Sequence, residues 1–249
     1  MIDTHAHLHL IDQPTEAILT AAKDAGVHHV VQVAIDLPSI HKNLNEYALV
    51  PNCSITGGIH PLSVSEDVDL DDVLALLEQH VDSFVAIGET GLDYKYGKDN
   101  MALQKIFFEA QLTFAREHKK PVVVHSRHSD EDMLDIVNQY PDVKKVFHCY
   151  ATNYAFFEAL EGDQNYASFT GMVTYAKKGK VVNSMKQVPM NRLMIETDSP
   201  YLLPRGVDSI QNSPQYVGHV AQHIADLRGM LLEDVIAQTT KTAKAFFSI

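Results

Sequence analysis

The feature that most constrains the fold is a set of eight short apolar runs, most of them rich in β-branched residues, that recur along the chain. They are Met1–Thr4, Val30–Ile35, Ser54–Ile59, Phe84–Ile87, Pro121–Val124, Lys145–Phe147, Tyr166–Thr170 and Arg192–Ile195. Nearly all lack the polar alternation of a half-exposed strand, so we expect burial on both faces, as in a parallel sheet.

Helical patterns separate these runs. Apolar residues recur at helical spacing in Gln104–Lys119, and Asp69–His80 and Ser129–Gln139 behave similarly. The stretch Ser213–Phe247 predicts two helices separated near Gly229. Strands that alternate with helices indicate βα units. Eight such units in 249 residues predict an α/β fold, a single TIM (β/α)8 barrel over residues 1–249, rather than an open sheet.

Composition narrows the class of protein. Hydrophobic residues make up 45% and charged residues 21%, which is typical of globular proteins, and no apolar run is long enough for a membrane span. The start has no basic segment followed by an apolar one, as a signal peptide would have. Cys53 and Cys149 cannot form a disulfide framework, so we expect reduced, buried thiols and a cytoplasmic protein.

The net charge of −12 argues against a generic nucleic-acid coat protein, which would carry a basic surface. It does not exclude a nuclease, because metal ions neutralise clustered acidic ligands and meet the phosphate directly. No segment indicates an obligate protein partner, and no nucleotide-binding fingerprint is present.

Residues that can bind metals follow six of the eight predicted strands. They are His5 and His7 after the first strand, His60 after the third, Glu89 after the fourth, His125 after the fifth, His148 after the sixth and Asp198 after the eighth. In a barrel these strand ends meet on the face where such enzymes keep their active sites. The sequence therefore predicts a metal centre at the C-terminal ends of the strands.

Two motifs supply the first of these residues. His5 and His7 are two residues apart, so on a strand both imidazoles point to one side and can bind one cation. The alternative is an exposed histidine pair. His9 has the same spacing, but we expect it to lie in the following loop. Glu89 lies between glycines, and its two carboxylate oxygens could bridge two metals; the alternative is a turn or capping carboxylate.

The last strand supplies a carboxylate with two roles. Asp198 can hold a metal with one oxygen and take a proton from water with the other; the alternative is a helix N-cap. Glu196 is expected to orient a histidine or a water. Asp93 is equally suited to hydrogen bonding and to substrate contact. Cys149 should point away from the ligands, because side chains alternate along a strand.

A basic residue lies beside one predicted ligand. Arg127 follows His125 by two residues, and its planar guanidinium suits phosphate or carboxylate; the alternative is a surface salt bridge. The lysine cluster at 177–180 is typical of a solvated loop, with a polyanion contact as the alternative.

Ordered sequence blocks then carry a family resemblance along nearly the whole chain. The blocks are MIDTHAHL at 1–8, GGIHP at 57–61, AIGETGLDY at 86–94, QKIFFEAQL at 104–112, PVVVHSR at 121–127, FHCY at 147–150, FTGMVTY at 169–175, IETDSPYL at 195–202 and TTKTAKAFF at 239–247. In these blocks the chain resembles the TatD family of metal-dependent deoxyribonucleases. Two loops depart from the family pattern, at 148–152 and at 205–214, and a basic residue expected near Gln211 is missing.

The resemblance implies a TIM barrel with a binuclear site of His5, His7, Glu89, His125, His148 and Asp198, with Glu89 as the bridge. It implies that two divalent cations activate water that cleaves DNA or a small phosphoester. Mixed imidazole and carboxylate ligands favour Zn, Mn or Co over Mg. Asp198 and Glu89 are then the catalytic carboxylates, and the substrate would meet His60, Arg127 and Arg205.

Two other functions fit the same residues. The first is an amidohydrolase that acts on a small amide, lactone or phosphoester, since the same ligands would serve it. The second is a non-catalytic binding protein on a decayed barrel. The complete ligand set argues against decay.

Overall fold

The strands follow one another around a single sheet in chain order. The computed structural model describes residues 1–249. Its strands are β1 Ile2–Ala6, β2 His29–Gln32, β3 Cys53–Gly57, β4 Phe84–Asp93, β5 Val122–Arg127, β6 Lys145–Phe147, β7 Asn165–Phe169 and β8 Leu193–Ile195. Its α-helices are α1 Thr15–Asp24, α2 Leu37–Asn45, α3 Leu70–Gln79, α4 Met101–Glu117, α5 Asp130–Val137, α6 Tyr154–Glu158, α7 Lys180–Gln187, α8 Val217–Arg228 and α9 Leu232–Phe247.

All seven neighbouring strand pairs are parallel, and this confirms the predicted TIM barrel. The two ends of the sheet meet differently from the other pairs. There β1 and the segment after β8 form one bridge, between Ala6 and Ser199. Asp3 reinforces this seam, because its carboxylate accepts hydrogen bonds from the Thr197 amide at 2.9 Å and the Thr197 hydroxyl at 2.5 Å. We call this contact between β1 and residues 196–199 the seam.

Besides β1, which continues to Ala6 and so includes His5, two strands extend beyond the C-terminal ends of the predicted apolar runs. β4 continues to Asp93 and β5 to Arg127, so Glu89 and His125 lie within strands rather than after them. The cause is backbone pairing, because the β4–β5 ladder continues as far as Asp93 and Arg127 after the apolar character has ended. The shift places both side chains on a hydrogen-bonded scaffold instead of a free loop.

Polar caps and one glycine set the ends of several helices. Asp36 accepts the Ser39 amide at the start of α2, and Asp69 does the same for two amides at the start of α3. Gly229 ends α8 in the left-handed conformation, with φ 64°. None of the helices is both long and apolar enough to pass through a bilayer.

Two apolar clusters hold the barrel together. The larger one, of 50 residues, includes side chains from the helices and the strands. The smaller one joins side chains of six strands to the end of α9; its members are Ile2, Val31, Val33, Ala86, Val123, Val146, Met194, Ala243, Phe246 and Phe247. This second cluster fills the interior of the barrel, and α9 closes the end at which the strands begin. The opposite end is left for polar side chains.

Candidate metal centre

The six predicted ligands come together at the C-terminal end of the barrel. His5, His7, Glu89 and His148 are buried. The side chains of His125 and Asp198 are only 14% and 13% exposed. The arrangement centres on the Glu89 carboxylate, whose two oxygens face two different groups of histidines.

The first group surrounds Glu89 Oε2. The Nε2 atoms of His5 and His7 lie 3.3 and 3.7 Å from this oxygen. The same two nitrogens lie 3.7 and 3.5 Å from Asp198 Oδ1 and only 3.2 Å from each other. Two imidazole nitrogens and two carboxylate oxygens therefore converge on one small volume.

The second group surrounds Glu89 Oε1. His148 Nε2 lies 2.7 Å and His125 Nδ1 lies 2.9 Å from this oxygen, and these two nitrogens are 3.2 Å apart. His60 Nε2 is also 3.5 Å from it. His60 was predicted to line the substrate pocket, and the structure places it against the carboxylate at the centre of the cluster.

The chemistry of these donors fits divalent cations. Three overlapping groups of donor atoms each lie within 4.8 Å of one another: His5 with His148 and Asp198, His5 with His7 and Glu89, and His60 with Glu89 and His125. Imidazole and carboxylate together suit zinc, manganese or cobalt better than magnesium. The buried Nδ1 of His5 has no hydrogen-bond partner, so this ring is held by the cluster that its Nε2 faces.

The electrostatics of Glu89 are set by its neighbours. Burial alone would raise the pKa of this carboxyl, but His148, His60 and His5 hold it well below its usual value. Burial likewise opposes charge on His148, whereas Glu89 and Glu196 raise the pKa of His148 well above its usual value. The pocket is thus built around a carboxylate that stays ionised and needs positive charge nearby.

The other group shows the same balance. Burial followed by the charge of His148 lowers the pKa of His5. For His7, burial is outweighed by Asp198, which raises the pKa of His7. For Asp198, burial is outweighed by the hydrogen bond from His7, which lowers the pKa of Asp198.

Two further carboxylates lie behind the cluster histidines. Asp93 Oδ2 lies 3.1 Å from His125 Nε2, and Asp93 Oδ1 accepts the amides of Lys95 and Tyr96. Glu196 lies 3.5 Å from His148 Nδ1 and accepts the Cys149 amide at 2.6 Å. A hydrogen-bonded partner such as Asp93 fixes the ring plane and tautomer of a ligand histidine, whereas His148 Nδ1 makes no hydrogen bond and has Glu196 only as a nearby charge. For Asp93 the structure thus shows the hydrogen-bonding role, and the Cys149 thiol faces Thr170 rather than the cluster.

Backbone geometry brings Glu89 and Asp198 into place. A side chain at Gly58 would meet the backbone of Gly88 at 2.5 Å, so only glycine allows the segment just after β3 to approach β4 so closely beside Glu89. Asp198 itself has φ 55°. Its amide donates to His5 O at 2.9 Å, and the His7 amide donates to Ser199 O at 2.8 Å, so the seam fixes both His5 and Asp198.

Polar core residues that support the site gave no signal in the sequence. Gln32 and Asn43 are fully buried and connect β2, α2 and β3 to His9 by hydrogen bonds. Burial raises the pKa of Asp3 to about 8, although Thr197 and His5 oppose this shift by hydrogen bonding. Apolar periodicity does not indicate that these residues are buried, because each is a polar side chain within a buried segment.

The rim of the site carries exposed cations and aromatic rings. Arg127 is exposed, makes no salt bridge, and lies 4.9 Å over the ring of Tyr96, which is 62% exposed. Tyr201, 54% exposed, lies edge-on to His7 at a ring distance of 6.3 Å. Arg205 is exposed in the loop after β8, where its backbone amide donates to Thr174. The salt-bridge alternative for Arg127 is therefore wrong.

Comparison with known proteins agrees with this geometry. The model of the family described as TatD related DNase matches residues 2–248. The chain is 32% identical to the uncharacterized metal-dependent hydrolase YabD of Bacillus subtilis, over 100% of this chain and 99% of that protein. It is 31% identical to the 3′-5′ ssDNA/RNA exonuclease TatD of Citrobacter rodentium, over 94% and 92%. The crystal structure of YJJV, a TatD homologue from Escherichia coli, superposes with a TM-score of 0.88 at 23% identity, covering 100% and 98%.

Proposed function

The chain belongs to the TatD family of metal-dependent hydrolases, and from this premise we propose that it hydrolyses phosphodiester bonds of DNA. One observation carries the choice of bond: the guanidinium of Arg127 has no ion-pair partner and lies two residues beyond His125 on the same strand. In a chain of net charge −12, a free guanidinium beside a metal centre suits an anionic substrate. The relative from C. rodentium, named an ssDNA/RNA exonuclease, supports this choice.

We assign the six ligands to two cations that share Glu89. His5, His7, Glu89 and Asp198 would hold one cation, and Glu89, His125 and His148 would hold the other. The division follows the two faces of the Glu89 carboxylate. When bound, such cations supply a Lewis acid that polarises the phosphoryl oxygen and makes water more acidic.

Asp198 is the proton acceptor in this proposal. Its Oδ1 faces His5 and His7, whereas its Oδ2 has no partner in the protein and is not among the buried unpaired atoms. An accessible carboxylate oxygen can take the proton of water as the water oxygen bonds to phosphorus and the bond to the leaving alcohol breaks. The fixed backbone of the seam holds this oxygen in place.

In this proposal, residues at the rim of the site orient the substrate. Arg127 would bind the phosphodiester through its planar fork of donors, with Arg205 as a second cation from the loop after β8. The exposed rings of Tyr96 and Tyr201 offer surfaces on which unpaired bases can stack. His60 Nε2 lies 3.5 Å from Glu89 Oε1, and in this proposal His60 would contact the reacting group.

A hydrolysis panel coupled to metal analysis tests the proposal. The protein loaded with Zn, Mn, Co or Mg is assayed on a single-stranded oligodeoxynucleotide, on bis(p-nitrophenyl) phosphate and on a small N-acyl amide. We expect metal-dependent release of nucleotides and no amide cleavage. Amide cleavage without nucleotide release would show that the enzyme is instead an amidohydrolase.

Arg127→Gln then tests whether the Arg127 guanidinium binds the phosphodiester. Loss of a charged hydrogen bond should lower kcat/KM on the oligonucleotide by roughly 10- to 100-fold. The control is Arg192→Gln, because Arg192 lies just before β8, at the opposite end of the barrel, and should leave kcat/KM unchanged. Equal effects of the two variants would contradict a phosphate contact at Arg127.

A further inference from the structure

A chain of buried amides runs from β3 to the loop after β1 and ends at His9. Asn43 Nδ2 donates to Thr56 O at 3.0 Å and to Gln32 O at 3.3 Å. Gln32 Nε2 lies 3.0 Å from Asn43 Oδ1 and 2.7 Å from His9 Nδ1. Gln32 and Asn43 are fully buried, so neither can exchange these partners for water.

The direction of every bond in this chain is fixed. The backbone amide of Leu8 can only donate, and it lies 2.6 Å from Gln32 Oε1, so this atom is the carbonyl oxygen. The carbonyls of Thr56 and Gln32 can only accept, so the atom of Asn43 beside them is the amide nitrogen. Gln32 Nε2 therefore donates one hydrogen to Asn43 and the other to His9.

This direction determines the tautomer of His9. A ring nitrogen that accepts a hydrogen bond carries a lone pair, so His9 Nδ1 has no hydrogen. The neutral imidazole then carries its hydrogen on Nε2. The buried amides thus hold His9 as an uncharged hydrogen-bond donor through that one atom.

His9 lies at the edge of the metal centre. Its ring is 5.9 Å from that of His7 and perpendicular to it. His9 is half-buried, and its Nε2 has no partner in the protein and is not among the buried unpaired atoms. A donor of fixed orientation, open to solvent and next to a cluster residue, is placed to meet a bound substrate.

We propose that His9 is a substrate-binding residue whose Nε2–H donates to a phosphate oxygen of the bound nucleic acid. The proposal rests on the phosphodiesterase function proposed above. It adds a neutral contact on the β1–β2 side of the site, across from Arg127 on β5. A neutral donor positions an oxygen at short range without long-range attraction, so its contribution depends little on ionic strength, unlike that of Arg127.

The first test is independent of catalysis. The tautomer of His9 is measured by ¹⁵N–¹H correlation NMR of the metal-free protein, with His9→Gln used to assign the signals. We expect a neutral ring with hydrogen on Nε2 and a lone pair on Nδ1. A hydrogen on Nδ1 overturns the proposal.

The second test separates binding from chemistry. His9→Phe keeps a ring but removes the donor, and it should raise KM for a single-stranded oligodeoxynucleotide by roughly five-fold with kcat nearly unchanged. His9→Gln restores an amide donor at similar reach and should recover most of the loss. The matched control is His28→Phe, because His28 is exposed just before β2, at the far end of the barrel.

The outcomes of the second test are distinct. A raised KM in His9→Phe with recovery in His9→Gln supports the proposal. Turnover by the wild type with an unchanged KM in His9→Phe overturns this inference and leaves the phosphodiesterase function standing. A wild type that cleaves no phosphodiester with any of the metals overturns both.

Discussion

The two ends of this barrel are built from opposite kinds of side chain. At the C-terminal end, five histidines and the Asp198 carboxylate crowd around Glu89 with distances of 2.7–3.7 Å between the donor atoms in contact. At the N-terminal end, Phe246 and Phe247 of α9 pack on Ile2, Val31 and other apolar strand residues. The barrel therefore begins in an apolar plug and ends in a cluster of ionisable groups.

Stability and chemistry are located at opposite ends of the barrel. Buried apolar surface stabilises the plug, whereas the cluster has conflicting charges that burial makes unfavourable. Substitutions at the cluster should therefore impair hydrolysis more than folding. Substitutions at the plug should do the reverse.

The largest effect is expected for Asp198→Asn at the cluster. The amide keeps the shape of the carboxylate but accepts a proton poorly, so kcat should fall by roughly 10²- to 10⁴-fold. Activity on bis(p-nitrophenyl) phosphate and the melting temperature are measured together, and the melting temperature should change little. Retained metal with undiminished hydrolysis would remove Asp198 from the role of base.

At the plug, Phe246→Ala should lower the free energy of unfolding by about 3–5 kcal/mol, because it leaves a cavity in the barrel interior. Urea denaturation of the metal-free protein measures this loss. Hydrolysis per folded molecule, assayed well below the melting temperature, should match the wild type. A large fall in kcat for this variant would show that the two ends are coupled.

A smaller effect is expected for Asp93→Asn, which weakens the support behind His125 without removing a donor from the cluster. Loss of an orienting partner of this kind lowers metal affinity or activity by about 10- to 100-fold. Isothermal titration with Zn or Mn measures the affinity. The comparison variant is Asp99→Asn, an exposed carboxylate in the loop before α4, which should bind metal as the wild type does.

The smallest effect concerns the pH dependence of stability at the N-terminal end. Lys145 is fully buried at the start of β6, and burial lowers its pKa to about 8. The unfolded chain binds this proton up to a pKa near 10.5, so stability should rise with pH between about 8 and 10.

The slope from this one group is at most about 1.4 kcal/mol per pH unit. Urea denaturation at pH 8 and pH 9.5 should show the rise in the wild type and a smaller one in Lys145→Met. An identical rise in both proteins would assign it to other groups.

The barrel was predictable because its strands are short, continuous apolar runs that can be recognised in the sequence. Val122, Val123 and Val124 lie in a parallel sheet that is buried on both faces. Burial on both faces requires consecutive apolar residues, and such a run is visible in the sequence. All eight predicted strands exist, with ends that differ by a few residues apart from β4. Because the strand ends of a barrel meet on one face, six residues that are distant in sequence were predicted to lie together. The structure places all six in one cluster.

What could not be predicted depends on backbone pairing and on buried polar contacts. β4 continues through Glu89 because the backbone of β5 pairs with it. This backbone pairing cannot be inferred from the hydrophobicity of the side chains. Gln32 and Asn43 look like ordinary polar residues in the sequence, and only the fold shows that they are buried. His9 was predicted to lie in a loop, but it lies in a 3-10 helix over Leu8–Leu10, and its tautomer depends on Gln32, which is 23 residues away.

The seam has a consequence for how the protein folds. Asp3 and Thr197, which hold it together, are 194 residues apart in sequence, and the same contact sets His5 beside Asp198. Loop closure over such a separation is slow, so contacts of this kind form late. The complete cluster can exist only after the first and last strands have met. A growing or partly folded chain therefore lacks the assembled site, and binding of metal there would report that the barrel has closed.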